Sequence, residues 1–354
     1  MTIEPSHPVW LPPARMPRAR LSAGQVFALA VAVVVSGAVV AGVGWIALNQ
    51  QRVTDQFAVW QYTPSTDVGA YADRAELTDE GRFLFYASRP VVASDRAFND
   101  VCSAHQEDVG ILGCYLPSTK QIHLYDVTDD RLDGLEEVVA AHELLHAAWD
   151  RMSAAERDSL APLLEAEAAK LADDVDFAET LAFYARTEPG ERLNELHSII
   201  GTEFASVSPE LEAHYAIYFA DRGAITALHE QSNRIFLEQA AAVAALNAQI
   251  DGLAASIDAD YAAYNAAYDE LNSDVDAFNV RADAGDFSSQ AQFDRDRAAL
   301  IQRQNALDAD YATIEARVAE YDSLVAQLDA LNAATEELNA AINIAPHPAA
   351  ESTG

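Results

Sequence analysis

Leu135-Glu-Glu-Val-Val-Ala-Ala-His-Glu-Leu-Leu-His-Ala-Ala-Trp149 is the stretch on which the reading of this 354-residue chain turns. Val138, Val139, Leu145 and Trp149 form an apolar face at helical spacing, and Glu136 and Glu137 suit the positive end of a helix dipole. The stretch is therefore expected to be a helix. Inside it lies His142-Glu-Leu-Leu-His146, an H-E-x-x-H run. On a helix, positions i and i+4 stand one above the other, so two imidazoles can hold one metal ion while Glu143 points to the same place. Imidazole nitrogen suits zinc, and a carboxylate beside an open coordination position can take a proton from water. The alternative is a half-buried helix with two ordinary histidines and a solvated Glu143.

The residues just upstream favour the metal reading. Lys120-Gln-Ile-His-Leu-Tyr-Asp-Val127 is rich in strand formers. A strand that leads into an H-E-x-x-H helix resembles the active-site layout of zincin metallopeptidases, in which the strand borders the substrate cleft. The metzincin branch requires Gly at 149 and His at 152, where this chain has Trp149 and Met152. In gluzincins a Glu from a later helix completes the ligand set. The segment Arg192-Leu-Asn-Glu-Leu-His-Ser-Ile-Ile-Gly-Thr-Glu-Phe204 offers Glu195, Glu203 and His197. Asn194-Glu195 followed by Ser198 is similar to the Asn-Glu-x-x-Ser stretch of thermolysin-like enzymes. Ser198, Thr202 and nearby Gly201 give this face small side chains, which let two helices approach. Glu195 is the leading third ligand and Glu203 the alternative; Glu203 projects with Leu196, Ile199 and Ile200, where an unpaired carboxylate is costly. His197 is a third candidate ligand or an oxyanion-stabilising donor. A gluzincin often has Asp four residues after its Glu ligand; here that position is Ile199. The same motifs look like a family of membrane-anchored bacterial metallopeptidase-like proteins of unassigned substrate.

The resemblance implies zinc peptidase chemistry: Zn2+ on His142, His146 and a later Glu, with Glu143 as the base that activates a zinc-bound water against a peptide bond. Tyr184, His214 and Tyr215 are further candidates for an oxyanion donor. His105 and His123 belong to the sheet region and read as structural.

Between Arg20 and Arg52 no residue is charged, and Val26 to Leu48 is long enough to cross a bilayer as one helix. Trp45-Ile-Ala-Leu-Asn49 is a poor signal-peptide cleavage site. Arg15, Arg18 and Arg20 precede the span, whereas Arg52 is soon followed by Asp55, so the positive-inside rule puts the N-terminus in the cytoplasm and the rest outside. Cys102 and Cys114, the only cysteines, would then meet an oxidising compartment and form a disulfide. A net charge of −34 excludes a nucleic-acid partner, which needs a basic face.

From Gln231 onward Gly and Pro nearly vanish. Apolar residues recur at three- and four-residue steps, in one arm from Val243 to Phe278 and in the other from Leu300 to Leu328. Ala284-Gly-Asp-Phe-Ser-Ser289 interrupts the pattern. The expected organisation is a disordered tail (1–20), a transmembrane helix (21–50), an α+β zincin-like domain (51–230) with a small sheet and the active helix, an antiparallel coiled-coil hairpin (231–343) and a loose tail (344–354) that contains His347. The partners expected are a peptide or protein substrate, the membrane, and a protein or second copy docked on the hairpin. The competing functions are a non-enzymatic envelope scaffold that works through the hairpin, and a zinc amidase acting on cell-wall peptides.

Overall fold

A computed structural model of the chain describes residues 22–102 and 112–342. The two expected tails, His105 and His347 lie outside the described residues. The chain forms two compact units, one up to Phe57 and one from Ala58 onward.

In the first unit α1 (Ala23–Leu48) starts at a capping box. Ser22 Oγ accepts from the Gln25 amide and Gln25 Oε1 accepts from the Ser22 amide. Its 26 residues rise about 39 Å, more than the hydrocarbon core of a bilayer. None of its residues is buried, and Phe27, Val34, Val40 and Trp45 all face outward. A helix apolar on every side, with its backbone bonded internally, is long and apolar enough to cross a membrane.

Helix α2 (Gln50–Gln61) leads into the second unit. There α3 (Thr66–Arg74), α4 (Asp79–Ala87), β1 (Val91–Ala93) and α5 (Asp95–Cys102) precede the hairpin of β2 (Gly113–Leu116) and β3 (Gln121–Tyr125). The strand expected over 120–127 is thus real but shorter. Its partner pairs Cys114 with His123 and Tyr115 with Ile122, antiparallel. Strand β1, unmarked in the sequence pattern, runs parallel to β3 on the other side, so β2 is an edge strand among the described residues. Three residues are too few for periodicity to register. The Cys102–Cys114 disulfide joins the end of α5 to β2. Phe98 and Tyr125 pack around it in a small apolar cluster.

Helix α6 (Leu135–Arg151) is the hub. Gly134 begins it at φ 97°, where a Cβ would press on Leu228. Glu136 and Glu137 occupy its first turn and Arg151 its last. Leu144, Leu145, Ala147 and Ala148 are buried against the rest of the core. Then follow α7 (Ala154–Lys170), α8 (Val175–Thr187), α9 (Arg192–Glu203) and α10 (Pro209–Tyr215). Gly190, at φ 106°, makes the turn expected between α8 and α9. From Glu195 to Thr202 every residue of α9 is buried. Gly201 explains how α9 comes so close to α6: a Cβ there would stand 2.5 Å from Leu145 Cδ1 and 2.7 Å from Tyr215 Cε1.

Helices α11 (Arg222–Ala284) and α12 (Gln290–Ala341) form the expected hairpin, with Gly285 capping α11 in the left-handed region. The break at 284–289 falls where the pattern placed it. Helix α11 runs unbroken through 230–231, where the composition changes, and its first turns pack on α6 and α9. At the other end Leu338 and Ile342 bury against Leu132 beside the hub. Leu271, Leu307 and Ile314 are buried in the seam, and Arg303–Asp274 and Arg317–Asp260 ion pairs cross it. Tyr268 and Tyr311, placed in the seam by their spacing, remain 48% and 44% exposed. A phenol can pack one ring edge and leave its hydroxyl in water.

The Gly201→Leu substitution should force α6 and α9 apart and lower stability by about 1–3 kcal/mol. Thermal denaturation of the variant checks this; an unchanged midpoint would contradict the close crossing.

Candidate metal centre

His142 and His146 face one side of α6 with ring centroids 4.8 Å apart. The close crossing lays α9 over that side, and Glu195 meets them. One ligand atom from each of His142, His146 and Glu195 lies within 4.8 Å of the others. His146 Nε2 is 3.7 Å from Glu195 Oε1. Two donors about 2 Å from a shared tetrahedral ion stand about 3.3 Å apart, so the spacing is close to that of a ligand pair.

The hydrogen bonds around His146 decide which nitrogen is free. Asn194 Nδ2 donates to Glu191 Oε2 at 3.3 Å, which turns the amide oxygen inward. That Oδ1 is 2.9 Å from His146 Nδ1, so Nδ1 carries the proton and Nε2 offers its lone pair towards Glu195. Asn194 therefore does the orienting that a residue at Ile199 could not. Sequence inspection missed this role, because a contact spanning 48 residues leaves no local pattern.

Glu195 is 1% exposed, and its Oε2 is buried with no hydrogen-bond partner. Burial, with Glu188 and Glu191 adding, pushes its carboxyl up to about 9. No Lys or Arg pairs with it among the described residues. A buried carboxylate in that state is costly, and a divalent cation would supply the missing charge. Burial and the neighbouring His146 hold the His142 imidazole well below its usual range, so it stays neutral and can donate a lone pair. Two imidazole nitrogens and one carboxylate oxygen make a donor set that fits zinc.

Glu143 stands against β2. Gly113 leaves it room, since a Cβ at 113 would stand 2.9 Å from Glu143 Oε1. Burial pushes the Glu143 carboxyl up to about 7; His146 opposes this, and Glu195 and Glu188 add to it. A carboxyl poised near neutrality suits a general base.

A cavity of about 410 Å³ opens over these groups. It is lined by β2 from Gly113 to Tyr115, by His142, Glu143, His146 and Trp149 of α6, by Tyr184, and by Glu195. Of the three tyrosine and histidine candidates for an oxyanion donor, only Tyr184 reaches it. Burial and the carboxylates of Glu195 and Glu143 keep its phenol protonated. The other two are engaged elsewhere: the Tyr215 hydroxyl donates to the His197 carbonyl, and His214 Nε2 lies 2.9 Å from His197 Nε2. His197 itself is fully buried between Trp149 and Tyr215 and does not line the cavity. It stands two residues, about 200° around α9, from Glu195, which turns it towards the core rather than the cleft. Glu203 also stands apart. At the end of α9 it lines a second cavity, of about 510 Å³, with His229, Glu230 and Arg234 of α11. His123, on β3, lines neither.

Comparison with protein-family models, curated proteins and solved structures gives no match.

A carboxyl with a raised folded-state pKa binds more protons folded than unfolded, so its contribution to stability is lost as pH rises. For Glu195 the window runs from 4.5 towards about 9. Chelator-treated protein should therefore lose stability over that range, and Glu195→Gln should flatten the slope by up to about 1.4 kcal/mol per pH unit. Denaturant titrations at several pH values test this; an equal slope in the variant would show that Glu195 is not buried as an ionisable group.

Proposed function

We propose that the chain is a membrane-anchored zinc-dependent peptidase whose catalytic region lies outside the cytoplasm. The observation that carries this reading is the convergence of His142, His146 and the orphaned Glu195 beside a base-like Glu143, within one open cavity.

His142, His146 and Glu195 would hold the ion, and the chemistry zinc supplies at such a site is Lewis-acid activation of water and of a carbonyl oxygen. Asn194 keeps the proton of His146 on Nδ1, so that Nε2 would be the ligand atom. The Glu143 carboxylate takes a proton from the attacking water and returns it to the leaving amine. The Tyr184 hydroxyl, protonated at all physiological pH values, donates to the scissile carbonyl oxygen as charge builds on it. Edge strand β2 forms one wall of the cavity, and an extended peptide can lie along it.

The charge pattern around α1 supports a cytoplasmic N-terminus, and the Cys102–Cys114 disulfide suits an oxidising compartment on the other side.

Glu143→Gln should reduce peptide hydrolysis by about a hundredfold to ten-thousandfold, the range for loss of a general base, and leave metal content near one ion per chain. Elemental analysis alongside a generic peptide assay checks both; wild-type rates in that variant would remove Glu143 from the mechanism. Asn194→Ala should weaken metal binding by about ten- to a hundredfold, read by competition with a chromogenic chelator. Unchanged affinity would mean that His146 needs no such support.

A further inference from the structure

We propose that Arg157 is the specificity-determining residue of this cleft and binds a carboxylate of the substrate. The inference rests on the peptidase reading and adds the chemical class of the peptide.

Arg157 belongs to α7 but lines the cavity. It is the only Lys or Arg among the lining residues, which include the carboxylates of Glu143, Asp150, Glu188, Glu191 and Glu195. In a protein with 56 acidic and 22 basic residues, a guanidinium so placed should find a partner. Arg74, Arg192, Arg222 and Arg317 each face a carboxylate. Arg157 pairs with none of the described ones. The carboxylate of Asp150, whose carbonyl Arg157 meets, is already engaged: Oδ2 accepts from Lys120 Nζ and from the Tyr115 hydroxyl, each at 2.8 Å.

What Arg157 does have is fixed orientation. Its guanidinium lies over the Trp149 ring, 5.6 Å from the centroid, and Nη2 donates to the Asp150 carbonyl at 3.0 Å. Trp149 and Asp150 follow His146 by three and four residues on α6, so the cation is clamped to the helix that carries the metal-binding histidines. Nε is buried without a partner, and Nη1 has no acceptor among the described residues. An unmet donor is costly, and a planar guanidinium whose Nη1 still lacks an acceptor suits a carboxylate. A cation held rigid, unpaired and facing a substrate cavity is a recognition group.

The carboxylate could be the peptide's C-terminus or an Asp or Glu side chain, and three probes separate the two. These are acetyl-tetraalanine with a free C-terminus, its amide, and the amide of acetyl-Ala-Ala-Glu-Ala. Binding is measured by calorimetry on the zinc-supplemented full chain carrying Glu143→Gln, so that no turnover intervenes. The free acid should bind about tenfold or more tightly than its amide if the terminus is read, and the Glu peptide should do so if a side chain is read. Adding Arg157→Gln should abolish the preference, and Arg157→Lys should restore part of it. Helical content and metal stoichiometry of the variants show whether they fold. Equal affinity for all three peptides, or a preference that survives Arg157→Gln in the folded, metal-loaded protein, overturns the assignment and leaves the peptidase reading standing. A wild-type chain that takes up no zinc and binds none of the peptides removes both.

Discussion

The crossing of α6 and α9 sets the terms for everything near the cavity. It is close because Gly201 presents no side chain to Leu145 and Tyr215. That contact buries the whole inner face of α9, and Glu195 goes in with it. A carboxylate at 1% exposure, with one oxygen lacking any partner, is among the costliest groups a small core can hold. The fold keeps it there next to two imidazoles, one of them locked in a single tautomer by Asn194. Replacing the carboxylate by an apolar side chain would relieve the core, so its position needs a compensating interaction. A cation shared by the three groups would provide one.

The same logic extends to the other wall. Edge strand β2 comes near enough to α6 that only glycine fits at 113, opposite Glu143. The disulfide holds β2 to α5, and Tyr115 and Lys120 tie the hairpin to Asp150 at the end of α6. The two walls of the cavity are therefore both fixed to one helix. Pre-organisation of this kind is what catalysis requires, since it holds charged groups where water would otherwise scatter them.

Much of this was legible in the sequence, for physical reasons that can be stated. The i, i+4 spacing of His142 and His146 is a local property of a helix, and it holds in the structure. Glu195 could be preferred over Glu203 because Ser198 and Thr202 share its face, and small side chains permit close approach; the two carboxylates in fact face different cavities. The cysteine pair and the break between the hairpin arms were equally local signals. What escaped was long-range or too short to show a period. Asn194 meets His146 only through the crossing. Arg157 reads as an ordinary exposed residue of α7 until Trp149 is seen beneath it. Strand β1 has three residues. The change in composition near residue 230 is not a break in the helix: α11 starts at Arg222, caps on Asp221 and packs on the hub before it projects.

Anomalous diffraction at the zinc edge, from crystals of the protein supplemented with zinc, tests the central claim most directly. The account predicts one strong peak, about 2.0–2.2 Å from a nitrogen of His142, from Nε2 of His146 and from a carboxylate oxygen of Glu195. A map with no peak at this cluster, or a peak held by other residues while Glu195 stays unligated, would contradict it.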